Sequence, residues 1–242
     1  ISFRGHKKQS VCGLSWNPDG QRIASGANDD QAIIWDRRRP DRPQLILRHG
    51  AAVKALAWYT PTRASRIDGV ACCRSSFLIS GSGLGDPHIR FHDVDRGSGQ
   101  RVHEIATDAQ VSSLAVSADS LQFVSTHGNA RHAGAQFYAR IVVWSAANMQ
   151  PIAGFSRHSG RVLSACLGPQ QDVLCTASAD QTLALSPIWS ARTSKAAANK
   201  QPSRLDDPDI VADSGIANNN AWMCALTVDV SFDRPRSGST CW

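Results

Sequence analysis

The 242-residue sequence has no apolar run near the roughly 20 residues that a membrane-spanning helix needs, so no membrane partner is expected. It has no secretory leader, and it begins with Ile1 rather than Met, so a segment upstream of Ile1 is expected. Seven cysteines are an odd number, and no Cys-x-x-Cys pair occurs; Cys72 and Cys73 are adjacent and the others scattered. That usage argues against a disulfide framework and reads as reduced thiols inside a cell. Also missing are a Gly-x-Ser-x-Gly elbow, a phosphate-binding loop and a His-Glu-x-x-His helix. The run Gly81-Ser82-Gly83-Leu84-Gly85 is Gly-rich but lacks the Lys-Ser/Thr of a phosphate loop. His88 and His92 share a strand face without a third metal ligand nearby. No intrinsic catalysis, metal or cofactor is therefore expected.

Charge is moderate. The net charge of +6 favours acidic partners without dictating one. Much of it sits in Arg37, Arg38, Arg39 and Arg42, interleaved with Pro40, Asp41 and Pro43. A nucleic-acid patch needs aromatic or Gly-rich company, which is lacking, so the segment reads as a solvated loop and nucleic acid is not an expected partner.

What the sequence does contain is one spacing written four times. Val11-x-x-Leu14-x-Trp16, Val53-x-x-Leu56-x-Trp58, Val111-x-x-Leu114-x-Val116 and Val162-x-x-Ala165-x-Leu167 are each followed by a polar turn and a second apolar strand. A fixed repeat of this length predicts stacked supersecondary units, with function on the surface they share. The first repeat is the clearest. After Val11 to Trp16 comes the turn Asn17-Pro18-Asp19-Gly20, in which Pro fixes φ and Gly permits a positive φ. Two further strands follow, ending in Trp35-Asp36. This is the pattern of a WD repeat, one four-stranded blade of a β-propeller.

Such blades hold a buried relay of His, Ser/Thr, Asp and Trp, whose mutual hydrogen bonds make its burial tolerable. In the first repeat it is expected at His6, Ser25, Asp29 and Trp35. In the second it falls on His49, Ser80 and Asp86, with His92 in the Trp position. The third repeat lacks the opening His and shows no relay Asp. The fourth offers His158, Thr176 and Asp180, with Ser186 replacing Trp. The predicted fold is all-β: a partial WD-repeat propeller over residues 5–190, about four four-stranded blades of a presumed seven. The blades are placed at 5–48, 49–101, 102–157 and 158–190. An insertion is read around 61–73, a polar loop over 128–139 and an irregular tail over 191–242.

Taken in order, the blocks around His6 to Gly20, Ala24 to Asp29, His49 to Trp58, Gly81 to Phe91 and His158 to Ser164 resemble the Fizzy and Fizzy-related activators of the anaphase-promoting complex. The resemblance covers about residues 5–190 and matches the last four of that family's seven blades. It implies a substrate-recognition adaptor that binds degrons of cell-cycle proteins. Its partners would be the subunits of the complex and the degron-bearing substrates. The family's receptor for a Lys-Glu-Asn degron maps onto Asn28, Gln110 and Arg161. Asparagine and glutamine can both donate and accept, and arginine can hold a carboxylate with two bonds.

Two positions depart from the family. Leu84 stands where a threonine is usual, removing a hydroxyl contact. Gln181 stands where an acidic residue pairs the arginine of a destruction-box degron, and a neutral amide cannot replace that charge-assisted bond. The departures point to a specialised, fungal meiotic branch. A general WD-repeat scaffold in another protein or ribonucleoprotein complex is the alternative reading.

Overall fold

Short strands and tight turns build four antiparallel sheets in chain order. The computed structural model describes residues 2–7, 9–61, 66–67, 70–71, 75–95, 99–130, 140–168 and 173–188. The first sheet is β1 (Val11–Trp16), β2 (Arg22–Ala27), β3 (Gln31–Asp36) and β4 (Leu45–Arg48). The second begins with β5 (Val53–Tyr59). A two-stranded ribbon, β6 (Arg66–Ile67) and β7 (Val70–Ala71), then interrupts it before β8 (Phe77–Ser82), β9 (His88–Asp93) and β10 (Gln100–Ala106). The third is β11 (Ala109–Val116), β12 (Gln122–Ala130), β13 (Arg140–Ser145) and β14 (Pro151–Ser156). The fourth is β15 (Val162–Leu167), β16 (Val173–Ser178) and β17 (Leu183–Pro187). This is the blade architecture of a β-propeller.

Three boundaries differ from those expected. Strand β10 pairs with β9, so the second blade runs to Ala106 rather than ending at Arg101. Gly128 lies opposite Gln110 in the third sheet, so the strand continues where a loop was expected. The fourth sheet has three strands among the described residues, not four. The tail 191–242, the loop 131–139 and the insertion's Cys72 and Cys73 lie outside the described residues.

The repeated spacing has a geometric cause. In a regular strand, residues three apart point to opposite faces. Here the register shifts between Val11 and Gly13, Val53 and Ala55, Val111 and Ser113, and Val162 and Ser164. One bulge at the same place in each first strand absorbs the extra residue. It returns Val, Leu and Trp to a single face.

That face meets the preceding blade. Val53, Leu56 and Trp58 pack with Ala24, Ala32, Ile34 and Leu47 of the first sheet. Val111 and Leu114 pack with Ala55, Phe77, Ile79 and Phe91 of the second. Val162 packs with Val124, Ile141 and Val143 of the third. The core is therefore a series of sheet-to-sheet interfaces. Phe91 anchors the middle one, edge-on to Tyr59 and Phe123. In the first blade the same three positions face no described sheet: Val11 is 50% exposed, Leu14 71% and Trp16 54%. The first strands lie side by side, β1 against β5, β5 against β11 and β11 against β15. The start of every first strand and the end of every second strand thus share one end of the array.

Candidate functional site at the shared end of the blades

Each blade's polar relay sits at this end, and the four differ. In the first, His6 Nδ1 lies 3.0 Å from Asp29 Oδ1 and its Nε2 2.8 Å from Ser25 Oγ. Trp35 Nε1 donates to the same Ser25 oxygen at 2.8 Å. Burial pushes the Asp29 carboxyl upward, but the Lys7 N–H and His6 outweigh it and hold the group below its usual range. In the fourth blade, His158 joins Asp180 at 3.1 Å and Thr176 at 2.9 Å. Asp180 is held at about 2: burial opposes ionisation, and bonds from Thr182 and Ser159 with the nearby His158 overcome it. Ser186, in the tryptophan position, is buried, and its hydroxyl has no hydrogen-bond partner among the described residues. Ser186→Ala is expected to stabilise the chain by about 1 kcal/mol, read by urea unfolding, because an unsatisfied buried hydroxyl costs more than a methyl.

The second blade corrects the relay read from sequence. His49 bonds neither Ser80 nor Asp86. Its Nδ1 lies 3.3 Å from Ser82 Oγ and 3.2 Å from Arg90 Nη1. Ser80 faces His92 at 3.3 Å. Arg90 has moved into the space between, giving Asp86 two contacts of 2.8 and 2.7 Å and reaching Glu104 at 3.3 Å. The Arg90 bond is the largest influence on Asp86 and holds its carboxyl far below the usual range, against the opposing effect of burial. The third blade has recruited a different histidine. His127 Nε2 lies 2.8 Å from Ser125 Oγ, to which Trp144 Nε1 donates at 2.8 Å. This imidazole comes from β12 itself, not from the turn before β11.

Burial is the main cause that lowers His49 to about 3, and His92 and His127 each to about 4. An unfolded chain protonates these groups near pH 6.5, whereas the folded chain resists protonation down to about 4. Between those limits the unfolded state binds more protons, so their contribution is intact above pH 6.5 and lost as pH falls. The melting temperature should hold between pH 7 and 8 and drop by roughly 10 °C by pH 5.

The predicted binding residues occupy the same end. Asn28 follows β2, is exposed, and has its backbone N–H bonded to Ser10 O. Leu84 is in the β8–β9 turn, 36% exposed. Gln110 and Arg161 are half-buried, and each neighbours Gly128. Gln110 pairs with Gly128 across the sheet. A Cβ on Gly128 would come within 2.3 Å of Arg161 Cγ, so only glycine leaves room for the arginine stem. Gly128, which the sequence places in a polar loop, thus sets the space open to the Arg161 stem. Among the described residues the Arg161 guanidinium has no ion-pair partner. Gln181 takes a left-handed φ of 68°, matching Asp30 at 60°; each directly follows its relay aspartate. No described structure brings Asn28 into contact with Gln110 or Arg161.

The chain matches the model of the WD domain, G-beta repeat, over residues 1–36 and 149–185. It is 34% identical to the protein FIZZY-RELATED 3 of Arabidopsis thaliana over 179 residues, which are 74% of the chain and 33% of that relative. It is 30% identical to the anaphase-promoting complex subunit cdh1 of Dictyostelium discoideum, covering 74% of the chain and 25% of that relative. A solved structure described as a crystal structure of the mitotic checkpoint complex contains a similar chain. There the TM-score is 0.63 at 31% identity, over 78% of this chain and 52% of that one. The chain thus spans about a third or less of these curated relatives. With the repeats, the blade fold and these relatives in agreement, the chain belongs to the Fizzy-related family of WD-repeat proteins.

Proposed function

We propose that this chain forms the degron-reading part of a substrate adaptor for the anaphase-promoting complex, acting without catalysis of its own. Its partners are the subunits of that complex and degron-bearing cell-cycle proteins, in nucleus and cytoplasm. The observation that carries the reading is that the Arg161 stem lies over Gly128, the strand partner of Gln110, at the end of the sheets where Asn28 also lies. A guanidinium with no ion-pair partner among the described residues, and an amide on the neighbouring strand, suit a short polar motif with a carboxylate and a carboxamide. The adaptor works by proximity, raising the effective concentration of substrate lysines at the ligase. Gln181 offers no charge to an arginine, so the reading favours Lys-Glu-Asn motifs over destruction boxes.

The test is the polarisation of a fluorescent Lys-Glu-Asn peptide titrated with the full chain. Arg161→Ala should weaken binding by about tenfold or more, since a charge-assisted pair is worth about 1.5–3 kcal/mol. Gly128→Val should do the same by displacing the Arg161 stem. A peptide with alanine at all three motif positions should not bind. Equal, salt-sensitive binding of both peptides, indifferent to Arg161→Ala, would instead favour the general scaffold.

A further inference from the structure

Asn28 does not stand alone on its blade. Lys54 Nζ lies 2.7 Å from Asn28 Oδ1, and Cys12 Sγ donates to the same oxygen at 3.2 Å. Lys54 follows Val53 on β5, so it reaches across the interface from the second blade to the first. It is half-buried, while Asn28 is exposed. An ammonium group has donors and no acceptor, so the amide atom facing it must be the oxygen. The amide is thereby turned in one sense: Oδ1 accepts from Lys54 and Cys12, and Nδ2 has no hydrogen-bond partner among the described residues. The groups that Asn28 and Arg161 leave for a ligand are then donors.

We propose that Lys54 is a positioning residue of the degron site. It fixes the Asn28 amide so that Nδ2 is presented to the ligand, and this corner of the site accepts only a hydrogen-bond acceptor, a carbonyl or carboxylate oxygen of the bound peptide. The inference rests on the degron-binding reading above. It adds a selection rule: a motif whose group at this corner is itself a donor is rejected, because two N–H groups would face one another.

The test is a double-mutant cycle in the full chain, read by affinity for the fluorescent Lys-Glu-Asn peptide, with melting temperature followed in parallel. Lys54→Met removes the charge and keeps the stem. It should weaken binding about tenfold, with a melting temperature close to that of the unaltered chain. Lys54→Arg should restore affinity to within about threefold, since guanidinium also only donates. Asn28→Ala should cost as much as Lys54→Met, and the two together no more than either alone, because Lys54 acts through Asn28. A merely structural lysine would give losses that add, and would lower the melting temperature in step. Wild-type affinity in Lys54→Met, with Arg161→Ala still defective, overturns this inference alone. Absence of degron binding by the unaltered chain overturns the functional reading and this inference with it.

Discussion

Trp58→Ala should destabilise the chain by about 4 kcal/mol, while Trp16→Ala should cost less than about 1 kcal/mol. The two tryptophans hold the same position of the repeat, so propensity and spacing give no reason for a difference. The difference lies in what covers them. Trp58 is 5% exposed, packs on the first sheet, donates from Nε1 to Ser15 O at 3.1 Å and lies under the Arg22 guanidinium. Truncation there leaves a cavity between two sheets, an unpaired carbonyl and an arginine without its aromatic platform. Trp16 is 54% exposed, and its replacement uncovers little that water does not already reach. Urea unfolding of the two variants measures both numbers. Equal losses would show that the blade-to-blade face is not the source of stability.

Arg90→Ala should cost about 3 kcal/mol. The Arg90 side chain is 8% exposed, and its guanidinium reaches both Asp86 and Glu104, whose side chains are 17% and 28% exposed. It also lies 3.2 Å from Ser82 Oγ and 3.2 Å from Nδ1 of the half-buried His49. Removing it takes from Asp86 and Glu104 the guanidinium they share, leaving His88, 2.7 Å from Asp86 and 3.1 Å from Glu104, as the one group that reaches both among the described residues, with Arg101 still paired to Glu104. The loss therefore exceeds that of a surface ion pair, which is worth about 1 kcal/mol or less. Arg90→Lys keeps one charge and loses the fork, so it should recover about half of the deficit. Denaturant titration near pH 7 measures both variants. A loss under about 1 kcal/mol for Arg90→Ala would mean that this network contributes little.

Strands and turns were legible wherever the repeat spoke through local chemistry. The Val-x-x-Leu spacing marks a bulge, the Asn17 to Gly20 turn carries its own backbone preferences, and Trp35-Asp36 closes a strand. The first and fourth relays were legible because each relay residue keeps its usual place in its own blade. The second and third were not, because their substitutes come from elsewhere in space. Arg90 sits on β9 and looks like any strand arginine until Asp86 and Glu104 are seen on either side of it. His127 stands two residues beyond Ser125, on the same face of β12 and away from the turn before β11 where a relay histidine is expected. The register shift between Val111 and Ser113 falls in the neighbouring strand, opposite His127 and Thr126. Lys54 was invisible for a related reason: its importance lies in an amide it touches across a blade interface. Strand β10 was assigned to the wrong blade because its polar, half-exposed residues carry a weak strand signal.

A crystal structure of the full chain with a Lys-Glu-Asn peptide tests the proposal that one end of the blade array reads a short degron. The peptide is expected at the end shared by Asn28, Gln110 and Arg161, with its carboxylate on the Arg161 guanidinium and an acceptor oxygen on Asn28 Nδ2. A peptide seated instead on the Arg37 to Arg42 loop, or along the exposed Val11, Leu14 and Trp16 face, would contradict it.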